Sequence, residues 1–238
     1  MKNFLKLFII EWKYNGWIFF LGITALLIDV IFVKYFKNPY GSIANSINMS
    51  VWFFPILIGT RLFTEENIQG KRSFLTALPV SKAEIWVSKL IYGIIQVIII
   101  IGIYIMINHK DYANQFPSGS QDLLMFSVAI FIFINAVLVS VIFKKFFVSL
   151  LGCSLFSVIF GYGFFAGFFV FSGIREFNSM YFKYYRYFGK NKDYMAILRL
   201  EIQNFQKLAL ENATLISVFL IVIIAYISLE LFRRQKGE

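Results

Sequence analysis

One histidine, His109, and one cysteine, Cys153, are the whole supply of imidazole and thiol in this 238-residue chain. A disulfide within the chain is impossible. Cys/His zinc or haem clusters are almost excluded, and no Ser/His/Asp or Cys/His nucleophilic set is expected because of where the single histidine lies. His109, beside Lys110 and Asp111, reads as a solvated histidine in a short outer loop. A phosphate-binding loop needs G-x-x-x-x-G-K-[ST]. Here Gly70-Lys71 is followed by Arg72, and Glu65 stands where the first glycine belongs. The sequence therefore leads us to expect no catalytic residue, metal ligand or cofactor in this chain. Gly163 and Gly167 form G-x-x-x-G, which suits close helix packing rather than nucleotide binding. Asp29 lies about two-thirds of the way along an apolar run. An ionised carboxylate near the centre of a membrane helix costs about 2.5–3.5 kcal/mol on insertion scales. Asp29 must therefore face protein, water or headgroups, and both a structural pair and a polar position on a substrate path are open.

The elements that hold these residues follow from composition. Fifty-nine per cent of the residues are apolar, 15% are charged and 20% are aromatic. Soluble domains run at about 45–50% apolar and about 25% charged. With mean hydropathy at +0.71, the chain reads as a membrane protein with several spans. A bilayer core needs about 20 mostly apolar residues per helix. Six runs qualify: Trp17–Phe36, Ile43–Phe63 (which contains Pro55), Glu84–Ile107, Leu123–Phe143, Phe147–Phe171 and Ala213–Phe232. Stretches such as Val97–Ile101 show none of the alternation a β-barrel strand needs.

Orientation follows from the cations outside the spans. Six spans put both termini on one side. That side collects 12 Lys and Arg residues, including the pair Lys144-Lys145 in a very tight turn. The short loops of the other side hold three. Both termini are thus expected on the cytoplasmic side. Residues 1–16 read as an amphipathic interfacial helix. At 100° per residue, Lys2, Lys6 and Lys13 fall within about 40° of one another, while Phe4, Leu7, Phe8 and Trp12 gather on the far side. Glu11, in the middle of that apolar face, reads either as a carboxylate snorkelling to headgroups or as a buried partner for a cation elsewhere.

Segment 172–212 is expected on the outer face. Phe177 to Phe188 interleaves aromatics with Lys183 and Arg186. Such a mixture occurs in nucleic-acid grooves, but beside spans it suits the headgroup belt, so no nucleic-acid partner is expected. Met195, Leu198, Ile202, Phe205 and Ala209 give one apolar stripe on a helix. Asn212, in an N-x-T sequon, reads as the N-cap of the sixth span.

The most informative stretch joins spans two and three. Arg61 and Glu65 stand four apart on one helical face. Gly70 breaks that helix. Lys71 to Leu78 form a short amphipathic turn with Phe74, Leu75 and Leu78 on one side, and Pro79 ends it. Ser81 and Glu84 complete a capping box at the start of span three. The expected order is helix, break, short surface helix, break and membrane helix.

The acidic pair Glu65-Glu66, Gly70, and the run F-L-T-A-L-P-V-S-K-x-E-I with Lys89 four residues after Ile85 resemble the ABC-2 class of bacterial ABC transporter permeases. The resemblance covers about 25 residues in motif and the whole chain in layout. Lys71-Arg72 is more cationic than the pair that many relatives carry there.

The resemblance implies an all-α integral membrane fold. It would be a single domain over 1–238, with six transmembrane helices, the interfacial helix 1–16, a cytoplasmic coupling helix within 64–82 and the extracellular segment 172–212. It assigns coupling to a separate ATPase subunit to Glu65, Glu66, Gly70, Lys71, Arg72, Ser73, Phe74, Leu75, Leu78 and Pro79. ATP and magnesium would sit on that partner. A second permease protomer, identical or different, and membrane lipids would be the other partners. The place would be the bacterial cytoplasmic membrane, and the cargo amphipathic or hydrophobic: a peptide, toxin, lipid or drug. The Phe/Ile/Lys-rich style is similar to Gram-positive permeases, some of which export amphipathic peptides such as phenol-soluble modulins. Others confer bacteriocin immunity. The competing expectation is a stand-alone membrane scaffold or channel without an ATPase partner.

Overall fold

In the computed structural model the described residues are 2–35, 41–64, 80–112, 120–156 and 192–234, and side chains are described within 5–28, 53–64, 80–106, 122–155 and 211–234. Among them the chain is all-helical. In chain order the helices are α1 (Lys2–Tyr35), α2 (Gly41–Thr64), α3 (Lys82–Tyr112), α4 (Ser120–Phe143), α5 (Phe146–Phe156) and α6 (Lys192–Arg234).

Three stretches are long and apolar enough to cross a membrane: Lys82–Met106, Asp122–Phe143 and Glu211–Arg234. They coincide with the expected spans three, four and six. Phe53–Thr64 and Phe146–Leu155 are shorter apolar helices that carry parts of the expected spans two and five. The chain thus has the helical, apolar character of a membrane protein, with three such spans among the described residues rather than six. The outer face of α6 fits this reading: Leu215, Phe219, Val222 and Tyr226 are all exposed. A continuous apolar face of this kind is what lipid, rather than water, solvates.

Helix α1 runs unbroken through residues 16 and 17, so the expected interfacial helix and the first apolar run form one rod. A lone glycine, Gly16, costs a helix only about 1 kcal/mol and does not end it. Leu7, Glu11, Asn15 and Ile18 make a buried stripe on α1. The Phe8 and Trp12 rings meet Tyr92 of α3 at 5.1 and 6.4 Å. A Cβ on Gly22 would come within 2.8 Å of Ile100. The numbering rises on both helices together, so α1 and α3 run parallel.

Helix α4 is the centre of the bundle, packing against α2, α3, α5 and α6. Phe133, Ile134, Asn135, Ala136 and Val137 are buried in succession. Burial on every side requires a helix that is apolar all round, as the α4 sequence is. Helices α2 and α4 approach very closely. A Cβ on Gly59 would stand 2.6 Å from the Ala136 Cβ and 2.8 Å from the Phe133 carbonyl oxygen.

The tight turn at Lys144-Lys145 is present: α4 ends at Phe143 and α5 begins at Phe146. Lys144 takes a left-handed conformation with φ 56°, and the Lys145 N–H donates to the Phe143 carbonyl at 2.7 Å. Two expectations are corrected. His109 lies within α3, which continues to Tyr112, and not in a loop. Asn212 lies inside α6 and is no N-cap. Ala209-Leu210-Glu211 ahead of it contains no breaker, so the helix propagates through it.

Candidate functional site

The segment expected to dock an ATPase is gripped at both ends by described structure. On the upstream side, α2 ends in a buried run, Leu62, Phe63 and Thr64. The Thr60 hydroxyl donates to the Ile56 carbonyl at 2.8 Å, and Thr64 donates to Thr60 at 2.6 Å. Both hydroxyls bond back to carbonyls one turn earlier in the same helix, so neither is left unsatisfied on its buried face.

On the downstream side the capping box forms as the sequence predicts. The Glu84 N–H donates to Ser81 Oγ at 3.2 Å, and the Ser81 N–H donates to Glu84 Oε2 at 2.7 Å. Two otherwise orphaned N–H groups are thereby satisfied, and α3 gains a fixed start.

The two ends are locked to each other and to the end of α6. Phe63 packs on Trp86 at 6.5 Å and edge-on against Phe232 at 5.9 Å. The Trp86 indole N–H donates to Ser228 Oγ at 3.3 Å. Phe63, Trp86 and Phe232 are all buried. Three helices therefore share one aromatic plug at the end of α2, the start of α3 and the end of α6.

Two ionisable side chains are buried in the same bundle. Lys89 is 1% exposed, with its ammonium 5.3 Å from the centre of the Phe63 ring. Glu11 is 3% exposed and accepts a 2.7 Å hydrogen bond from Asn15 Nδ2. The snorkelling reading of Glu11 is thus corrected. The parallel packing of α1 on α3 turns that face of α1 into the bundle. Tyr92 and Gln96 continue the polar layer on α3, with Gln96 Nε2 donating to the Tyr92 hydroxyl at 2.8 Å. An ionisable group inside an apolar bundle persists only where the surroundings compensate its lost hydration.

Glu65, Glu66, Gly70, Lys71, Arg72, Ser73, Phe74, Leu75, Leu78 and Pro79 lie outside the described residues. Gly163 and Gly167 also lie outside them, and Asp29 belongs to α1 but its side chain is outside those described. The structure therefore frames the expected coupling segment without reaching into it. Sequence reasoning missed the plug. Phe63, Trp86 and Phe232 are ordinary aromatics in apolar runs, and nothing in their spacing announces that they meet. Lys89 carried a usable signal, being the only cation in the apolar run Glu84–Ile107.

Cys153 is buried, and its thiol donates to the Ala136 carbonyl at 3.7 Å. Among the described residues no group of three or more His, Cys, Asp or Glu side chains comes together to hold a metal ion. No protein-family model, curated protein or solved structure matches the chain.

Proposed function

We propose that this chain is the membrane subunit of an ATP-driven ABC exporter of the ABC-2 type. It would move an amphipathic or hydrophobic cargo with the help of a separate ATPase subunit. One observation carries the reading: the aromatic plug of Phe63, Trp86 and Phe232, which joins the end of α2 to the start of α3. A segment that transmits force must be anchored stiffly at both ends, or its motion is lost in bending. Here its two flanking helices share a buried core with α6, and α3 begins at a fixed cap. The ten residues from Glu65 to Pro79 named above would meet the ATPase, with Phe74 and Leu75 as apolar anchors. Nucleotide-driven motion of that contact would tilt α2 and α3 as rigid bodies about the bundle. A pair of protomers would enclose the conduit, with both termini on the cytoplasmic side of a bacterial cytoplasmic membrane. Asp29 would be the polar position on the cargo path.

Copurification tests this directly. The chain carrying an affinity tag is expressed from its native locus. A stoichiometric ATPase is expected to copurify, and Phe74→Asp is expected to abolish transport-linked ATP hydrolysis while the permease still inserts. Recovery of the chain with no ATPase would favour the stand-alone scaffold or channel. Unchanged coupling in Phe74→Asp would show that the segment is a free loop.

A further inference from the structure

Phe8, Asn15 and Gly22 follow one another at about two helical turns on α1, so they share one face. The Phe8 ring meets Tyr92 of α3 at 5.1 Å, and a Cβ on Gly22 would come within 2.8 Å of Ile100 of α3. Asn15 falls midway between these two contacts on α1, as Gln96 does between Tyr92 and Ile100 on α3. The register therefore sets Asn15 at the level of Gln96. Asn15, Tyr92 and Gln96 are all buried, none more than 2% exposed.

Each helix satisfies part of this polar layer by itself. On α1 the Asn15 Nδ2 donates to Glu11 Oε2 at 2.7 Å, and on α3 the Gln96 Nε2 donates to the Tyr92 hydroxyl at 2.8 Å. With its nitrogen turned to the carboxylate, the Asn15 amide has its oxygen turned away. That oxygen, Oδ1, is buried and accepts no hydrogen bond from the described residues. The Tyr92 hydroxyl, already an acceptor for Gln96, still has its own proton to donate. One helix thus brings a buried acceptor and the other a buried donor to the same stretch of their interface.

We propose that a single water molecule is bound between α1 and α3 at this layer. The Tyr92 O–H donates to it, and it donates to Asn15 Oδ1. The occupant has to accept on one side and donate on the other. Water does both, whereas a metal cation accepts nothing from an O–H and hydrocarbon offers neither bond. Immobilising one water costs less than leaving two buried polar groups unmet, and waters of this kind lie inside membrane helix bundles. The bridge would join the Glu11–Asn15 and Tyr92–Gln96 pairs into one network. Helix α3 would then have two kinds of polar tie: the direct bond from Trp86 to Ser228 of α6, and a bridge to α1 that breaks and re-forms as its water exchanges. This proposal rests on the packing of α1 against α3 and is independent of the transport reading.

Hydroxyl-radical footprinting tests it. The full chain in detergent micelles receives a short X-ray pulse, and mass spectrometry reads hydroxylation ring by ring. Radicals born at a bound water attack the ring beside it, so Tyr92 is expected to be labelled despite its burial. Phe133, fully buried among apolar groups, is the dry reference. In Asn15→Leu the Tyr92 label is expected to fall about fivefold, the loss of occupancy that one ordinary hydrogen bond sets. Size exclusion confirms that the variant is folded. Labelling of Tyr92 no faster than that of Phe133 in the parent chain would overturn the proposal without recourse to any variant. An unchanged Tyr92 label in folded Asn15→Leu would overturn it as well, since Asn15 would not hold the water. A Tyr92 label that rises when sodium and potassium are replaced by choline would overturn it in favour of a bound metal cation.

Discussion

Replacing Gly59 by alanine tests the close approach of α2 and α4. The new Cβ would sit 2.6 Å from the Ala136 Cβ and 2.8 Å from the Phe133 carbonyl oxygen. Non-bonded carbons are comfortable at about 3.5–4.0 Å, so the overlap with Ala136 is about 1 Å. Neither obstacle is the end of a flexible side chain. Both are fixed to the backbone of α4, so relief requires α2 and α4 to part by roughly that distance. Overpacking of this kind costs about 1–3 kcal/mol. Against it stands the helix preference of alanine over glycine, about 1 kcal/mol.

Gly16→Ala separates the two contributions. There the new Cβ meets Trp12 atoms at 3.6 Å, an ordinary contact. It carries the same propensity gain without the clash. We expect Gly16→Ala to raise the thermal midpoint in detergent and Gly59→Ala to lower it relative to Gly16→Ala by the equivalent of about 1–3 kcal/mol. Adding Ala136→Gly to Gly59→Ala should restore part of the loss, since it removes one of the two overlaps and leaves the Phe133 carbonyl. Fluorescence-detected size exclusion after a heating series reads all four chains. If Gly59→Ala and Gly16→Ala shift the midpoint equally and in the same direction, α2 and α4 do not pack at this distance and the reasoning fails.

Other outcomes follow from the structure and from the proposed function. Trp86→Phe should destabilise the chain by about 1 kcal/mol through loss of the buried bond to Ser228. The double change Trp86→Phe with Ser228→Ala should cost less than the sum of the two single changes in the same thermal assay. With Cys153 replaced by serine, single cysteines at Ser118 and Ser179 should label from outside intact cells, whereas one at Ser73 should label only after permeabilisation. Reaction at Ser73 from outside would invert the proposed orientation. Asp29→Asn should leave insertion intact and reduce transport of cationic cargo more than of a neutral analogue. Equal transport of both would reduce Asp29 to a packing residue.

Several features were legible in the sequence because their causes are local. The Ser81–Glu84 capping box needs only two side chains three residues apart, and it forms with both reciprocal bonds. The α4–α5 turn needed only two lysines between two apolar runs. The ends of Asp122–Phe143 were readable because composition changes sharply there. Where the sequence reading went astray, it placed a boundary at a residue that merely tolerates one. Asn212 is a fine cap but also an acceptable interior residue, and α6 continues through it. Residue 16 failed in the same way in α1.

By itself, then, the sequence determined the membrane class of this protein, its helical content and the caps and turns that close over a few residues. Hydropathy and short-range hydrogen bonding depend on neighbours in the chain. Only the tertiary structure decided that Glu11 is buried, because burial of that face depends on α1 lying along α3. Only it could bring Phe63, Trp86 and Phe232 into one plug, or leave Phe53, Leu57 and Arg61 as the accessible stripe of α2. Each of these depends on which helix faces which, and within runs that are apolar all round, such as α4, periodicity carries almost no information about that choice.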